Sequence, residues 1–190
     1  IFYLDKKTVY SNGGKINKTL TQATLKDHAR SKETLQETEP FITDYITGTA
    51  LLVSRKTLQE VGLMEEKYFL YYEDADWSVK ARKKGYVHLI VPQAVIYHKG
   101  YHSTSQFSFS YIYYLTRNGY LFAWENGNFF QKAFVVFYSF YKFLKQPIKW
   151  ILFPRSKNYI VDLFYMLIER LVFASFDPLP PKFVSFSLEI

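Results

Sequence analysis

Glycine and proline punctuation constrains this chain more than any other feature. Between Asp44 and His98, the residues Gly62, Gly85 and Pro92 cut an apolar sequence into segments too short for a long helix. "YITGTALLVS", residues 45–54, is β-branched and apolar and predicts a buried strand. "RKTLQEVG" predicts a short helix with Gly62 as its C-cap. "DADWSVKARKKG" predicts a second helix, with Ala75, Val79 and Arg82 on one face and Gly85 as its stop. "YVHLIVP" and "AVIYH" predict two further strands separated by Pro92. Strand, helix, helix, strand is the order of an α/β layered domain.

The flanks differ in character. "TVYSNGGKI" reads as a strand broken by a turn at Asn12, Gly13 and Gly14, and "KTLTQATLKDHARSKETLQETEP" as a polar, exposed stretch. From about Phe107 the chain becomes long, aromatic-rich and helix-like, so that 1–105 and 106–190 divide as a layered domain and a helical, basic tail. The chain opens "IFYLDKK", already apolar and without a signal-peptide pattern, and reads as an excerpt of a longer protein. With no cysteine, it has no thiolate metal site and no cysteine nucleophile. A net charge of +7 points to an anionic partner. The basic residues are scattered among apolar helices and match no nucleic-acid recognition module, which argues against nucleic acid.

The tail holds no run long enough to span a bilayer, because Lys132 and Lys142 bound its longest apolar stretch. Between Glu125 and Asp162 there is no acidic residue, while Lys132, Lys142, Lys145, Lys149, Arg155 and Lys157 are basic. Aromatic residues interleaved with lysine suit a helix lying on an anionic membrane surface. They equally suit helices packed on the domain with lysines facing water.

"YFLYYEDADW", residues 68–77, sets Glu73, Asp74 and Asp76 directly after an aromatic run. Asp74 stands where a helix begins, and an aspartate there caps free N–H groups or favours the helix dipole. Two features point further. Capping needs one carboxylate and three are present. An apolar wall beside a carboxyl also raises its pKa toward the range of a general base.

The ordered motifs through this region carry a resemblance. A glycine-containing strand (Gly48-Thr49-Ala50) is followed by a helix ending Val61-Gly62, then Glu73-Asp74-Ala75-Asp76, Lys84-Gly85-Tyr86, Val91-Pro92-Gln93-Ala94 and His98. "NGGKI" at 12–16 and "YYLTRN" at 113–118 flank them. The series resembles the second half of the catalytic domain of family 2 glycosyltransferases, in the style of bacterial rhamnosyltransferase-like members, and covers roughly residues 8–118. Glu65 stands where those proteins usually have Asp, and Lys80 where arginine is common, both mild departures.

The resemblance implies a partial GT-A fold (the nucleotide-diphospho-sugar transferase fold) with a C-terminal helical extension. It implies inverting transfer of a sugar from a nucleotide-diphosphate donor to a glycan or lipid-linked acceptor hydroxyl, at the cytoplasmic face of the cell membrane. An acceptor hydroxyl needs a base: Asp74 is the expected base and Glu73 the second candidate, while Asp76 supports the loop or binds acceptor hydroxyls. Gly48 and Thr49 are expected at the substrate. The diphosphate calls for a divalent cation, Mn2+ or Mg2+, with its main ligands upstream of residue 1 and His98 as a later ligand. Asp74-Ala75-Asp76 is itself an Asp-x-Asp, but its place after the aromatic loop matches the acceptor side rather than the metal pair.

Around this set, Trp77 is a candidate to stack on a sugar ring or a core residue. Arg117 and Asn118 anchor the tail helix or meet a phosphate. "HKGYHSTS", 98–105, reads as a polar loop able to close over the donor. The competing reading is a non-catalytic membrane-associated binding module in which the acids are structural.

Overall fold

A computed structural model describes residues 1–99 and 109–152. The expected tail helix over "NYIVDLFYMLIERLVFASF" lies outside the described residues, as does most of the polar loop at 98–105. The described part combines four helices with three small two-stranded sheets. β1 (Phe2–Tyr3) pairs in parallel with β6 (Tyr97–His98). β2 (Gly14–Asn17) and β3 (Gln22–Leu25) form an antiparallel hairpin, and β4 (Phe41–Thr43) runs antiparallel to β5 (His88–Ile90). The helices are α1 (Arg55–Val61), α2 (Glu73–Lys83), α3 (Phe109–Asn126) and α4 (Phe129–Leu152). Helices and strands mix as expected, although the strands form separate ladders rather than one layered sheet among the described residues.

Local chemistry explains most of these elements. Ser54 caps α1, its hydroxyl accepting from Thr57 N–H at 3.0 Å, and Gly62 ends the helix at φ 93°, where a side chain would be strained. Gly85 (φ 88°) follows α2 in the same way. Asn128 and Gln131 open α4 with a reciprocal cap: Asn128 N–H donates to Gln131 Oε1 at 2.7 Å, and Gln131 N–H donates to Asn128 Oδ1 at 2.9 Å.

Two expectations are corrected. Residues 45–54 do not form a strand: Gly48–Ala50 is a 3₁₀ turn and Leu52 is 97% exposed. The backbone donors that a strand would spend on a neighbour are taken by side chains here. Thr47 Oγ1 caps Thr49 N–H, and Gly48 N–H donates to Asp74 Oδ2 at 2.8 Å. The strand partner of β5 is instead the preceding "FIT" at Phe41–Thr43. The polar stretch after Asn17 is not wholly exposed either. Its "QATL" supplies β3, whose Ala23 and Leu25 turn inward against the core.

That core joins the hairpin to α2 and α3. Tyr45, Tyr68, Ala75 and Phe122 are buried together, with Ile16, Ala23, Leu25, Tyr72 and Val79 packed against them. The change of sequence character near residue 106 is therefore not a packing boundary, since Tyr114, Asn118, Phe122 and Ala123 of α3 are all buried.

The paired glycines fix where Tyr45 stands. Gly13 turns the chain at φ 89°, and a Cβ at Gly14 would lie 2.0 Å from Tyr45 Cε1. Thr43 Oγ1 locks the approach, accepting from Gly14 N–H and donating to Gly14 O at 2.8 Å each. Gly14→Ala is expected to cost about 3 kcal/mol or more by overpacking, read as a lowered urea midpoint with an unchanged slope.

Candidate active site

The acids are presented by a strained loop. Phe69, Tyr71 and Tyr72 adopt φ of 60°, 68° and 72°, the left-handed region that non-glycine residues avoid at a cost on the order of 1–2 kcal/mol each. What holds the loop is Asn118, fully buried on α3. Its Nδ2 donates to the carbonyls of Tyr68 (2.6 Å), Leu70 (2.6 Å) and Tyr71 (2.9 Å). Arg117 Nη1 donates to Lys67 O at 2.8 Å and to Asn118 Oδ1 at 2.7 Å, orienting the clamp. Arg117 and Asn118 thus anchor α3 to the loop, the first of the two roles weighed from sequence.

Asp76 works beneath the loop. It is 2% exposed. Its Oδ1 accepts from Tyr68 Oη at 3.2 Å and Asn126 Nδ2 at 2.8 Å, and Oδ2 pairs with Lys80 Nζ at 3.0 Å. Lys80 reaches on to Glu65 at 2.5 Å, where the sequence departs from the family pattern at both positions, so the two changes meet in one ion pair. Asp76 supports the loop and is too buried to meet acceptor hydroxyls. Trp77 is likewise a core residue, 3% exposed with Nε1 donating to Gly62 O at 2.7 Å, which leaves no ring face for a sugar. Asp76 and Trp77 are buried, whereas Glu73 and Asp74 are half-buried and border a cavity.

Glu73 and Asp74 line a cavity of about 550 Å³. The rings of Tyr10, Tyr45, Tyr71, Tyr72 and Tyr111 form much of its wall, together with His28 and the Thr47-Gly48-Thr49 turn. Both predicted acids and both predicted substrate-side residues, Gly48 and Thr49, are thus brought to one concavity. Among the described residues no lysine or arginine lines it.

The two carboxyls are not equivalent. Burial raises the Asp74 pKa above its ordinary value near 3.8, against the pull of hydrogen bonds from Gly48 N–H, Ala75 N–H and the Thr47 hydroxyl. Burial, and then the adjacent Asp74 charge, raise Glu73 above its ordinary value near 4.5. Glu73 Oε2 is buried with no hydrogen-bond partner. A pair this close titrates as a unit. Hydrogen bonds from Gly48, Ala75 and Thr47 favour the charged form of Asp74, while Glu73 Oε2 receives none.

These shifts set a stability signature. A raised folded-state pKa means the folded protein holds a proton that the unfolded chain has released. Stability is therefore expected to fall as pH rises above about 4.5, where the unfolded glutamate ionises, until the folded carboxyl also ionises. Glu73→Gln should flatten that decline and stabilise the protein at neutral pH, measured by urea unfolding from pH 4 to 8.

His98 does not reach the cavity wall. Its ring packs in a T-shaped arrangement against Tyr10, 4.6 Å between centroids. Among the described residues no group of three or more His, Asp and Glu side chains is arranged to hold a metal ion.

Sequence reasoning missed Tyr10 and His28, which reach the cavity from the N-terminal segment. Nothing local marks them.

The chain is similar to proteins of known activity. It is 33% identical over 78 residues to the N-acetylglucosaminyl-diphospho-decaprenol L-rhamnosyltransferases of two strains of Mycobacterium tuberculosis, CDC 1551 / Oshkosh and ATCC 25618 / H37Rv. The match covers 41% of this chain and 25% of each of those proteins, so it spans about a quarter of the length of the relatives. No family model and no solved structure matches the chain.

Proposed function

We infer that this chain carries the acceptor side of an inverting, family 2 type glycosyltransferase, with Asp74 as general base. The observation that carries this reading is the cavity: an ionisable acid pair ringed by tyrosines, with no lysine or arginine among the described residues of its wall. Aromatic faces and carboxylates suit a sugar, whose C–H faces pack on rings and whose hydroxyls donate to acids. Two carboxylates without a lysine or arginine would repel a diphosphate. The cavity therefore fits the acceptor sugar, and the donor diphosphate belongs elsewhere.

The acceptor hydroxyl oxygen attacks the anomeric carbon of the donor sugar from the face opposite the diphosphate. As that C–O bond forms, the bond to the diphosphate oxygen breaks and its electron pair leaves with the nucleotide. Asp74 takes the hydroxyl proton, and a single displacement inverts the anomeric configuration. Glu73, beside Asp74 on the cavity wall, hydrogen-bonds an acceptor hydroxyl and orients it. A divalent cation would neutralise charge building on the leaving diphosphate. The described residues do not assemble its ligands, so no step here passes through it.

The relatives' names add a substrate class: L-rhamnosyl transfer to a sugar carried on a polyprenyl diphosphate. The test is turnover of a panel of nucleotide-diphospho-sugars, L-rhamnosyl donors included, by the full-length protein with N-acetylglucosaminyl-diphospho-polyprenol. Turnover of a donor that requires the acceptor supports the reading. A folded protein that turns over no donor removes it, and leaves the non-catalytic binding module as the alternative.

A further inference from the structure

We propose that α4 is a docking surface for an anionic lipid bilayer, lying in the plane of the interface with its aromatic stripe in the headgroup region. The helix has 24 residues and would run about 36 Å along the surface. Phe130, Phe134, Phe137 and Tyr141 follow one another at steps of four, three and four residues, which stacks them on a single face. They are 80%, 45%, 72% and 54% exposed. A stripe of that size facing water is costly, and large exposed apolar patches mark interaction sites.

Charge selects the partner. From Asn126 to Val161 the sequence has six basic residues and no acidic one. Lys145 stands one turn beyond Tyr141 on the flank of the stripe, with its ammonium 5.7 Å from the centre of the Tyr141 ring. A ring flanked by ammonium groups matches the boundary between acyl chains and anionic headgroups. A second copy of this helix fits poorly, because self-pairing would bring lysines of like sign together with no acid to answer them. Crossing the membrane is excluded for the described helices, none of which is long and apolar enough. At its first turn α4 is tied to the body by Gln131, which bonds to Lys18 O, and by Lys132, whose ammonium lies 5.1 Å from the Trp124 ring.

This inference stands independently of the glycosyltransferase reading, since its readout is binding rather than turnover. The experiment is cosedimentation of the full-length protein with phosphatidylcholine vesicles, with and without about 30% phosphatidylglycerol. Binding is expected to the anionic vesicles, weakening as salt rises. Phe130→Ser with Phe137→Ser should abolish it. Both positions are largely exposed, so the circular dichroism spectrum should not change. Lys145→Glu with Lys149→Glu, which leaves the stripe intact, should weaken binding about tenfold or more. Equal binding to neutral and anionic vesicles, or binding indifferent to both variant pairs, would overturn the proposal. So would a wild-type dimer that the serine variants make monomeric without any vesicle binding, which would assign the face to a second copy.

Discussion

Asp74→Asn is expected to lower kcat for sugar transfer by the full-length protein about 10²- to 10⁴-fold, the range a positioned general base contributes. The Michaelis constant for the acceptor should change little. Asparagine keeps one oxygen to accept Gly48 N–H, now at 2.8 Å from Asp74 Oδ2, so the turn at Gly48–Ala50 stays in place, while Ala75 N–H loses the oxygen it donates to at 2.7 Å. Removing a carboxyl whose charge is disfavoured by burial offsets that loss, so folding stability at neutral pH should change little. The wild-type pH profile supplies the second readout. Because the base acts deprotonated, kcat/KM should rise with pH through an apparent pKa above the ordinary aspartate value near 3.8. Full activity in Asp74→Asn would remove the base assignment. If Glu73→Gln, and not Asp74→Asn, abolished the acid limb, the two carboxyls would exchange roles.

The second large effect lies at Asn118. Asn118→Ala removes a buried donor from three loop carbonyls, those of Tyr68, Leu70 and Tyr71. A buried acceptor left without a partner costs about 1–3 kcal/mol. The three share one amide and their costs do not simply add, so a total near 3 kcal/mol is expected. Three left-handed residues persist only while something compels them, and without the clamp Phe69, Tyr71 and Tyr72 can relax. That motion would carry Glu73 and Asp74 away from the cavity, so kcat should fall while a stability assay also registers the loss. Asn118→Asp is the sharper variant. It keeps the shape but turns an oxygen toward three carbonyl oxygens, and should destabilise more than alanine. A loss below about 0.5 kcal/mol in both variants would mean the loop holds its shape without Asn118.

Much of the site was legible because its signals are local. Gly62 and Gly85 are legible helix stops, and both follow their helices at positive φ. The acidic first turn of α2 could be read as unusual from composition alone. The sequence also brought Gly48 and Thr49 into the same hypothesis as the acids, and they line the same cavity. Where the reading failed, the deciding contact was distant. Residues 45–54 have strand composition, yet Asp74, 26 positions away, takes the Gly48 N–H that a strand would have needed. Trp77 sits beside the acids in sequence and is turned into the core by the helix itself.

The sequence by itself determined which chemistry was available: an acid cluster after aromatic residues, a basic tail without acids, and helix ends written in Ser, Gly and Asn. These follow from propensity, capping and charge, which act within a few residues. Tertiary structure alone decided which acids are usable. Asp76 is spent on Tyr68, Asn126 and Lys80, whereas Glu73 and Asp74 face tyrosines gathered from residues 10, 45, 71, 72 and 111. Burial sets the proton affinity of those carboxyls, and burial is a property of packing between segments far apart in the chain.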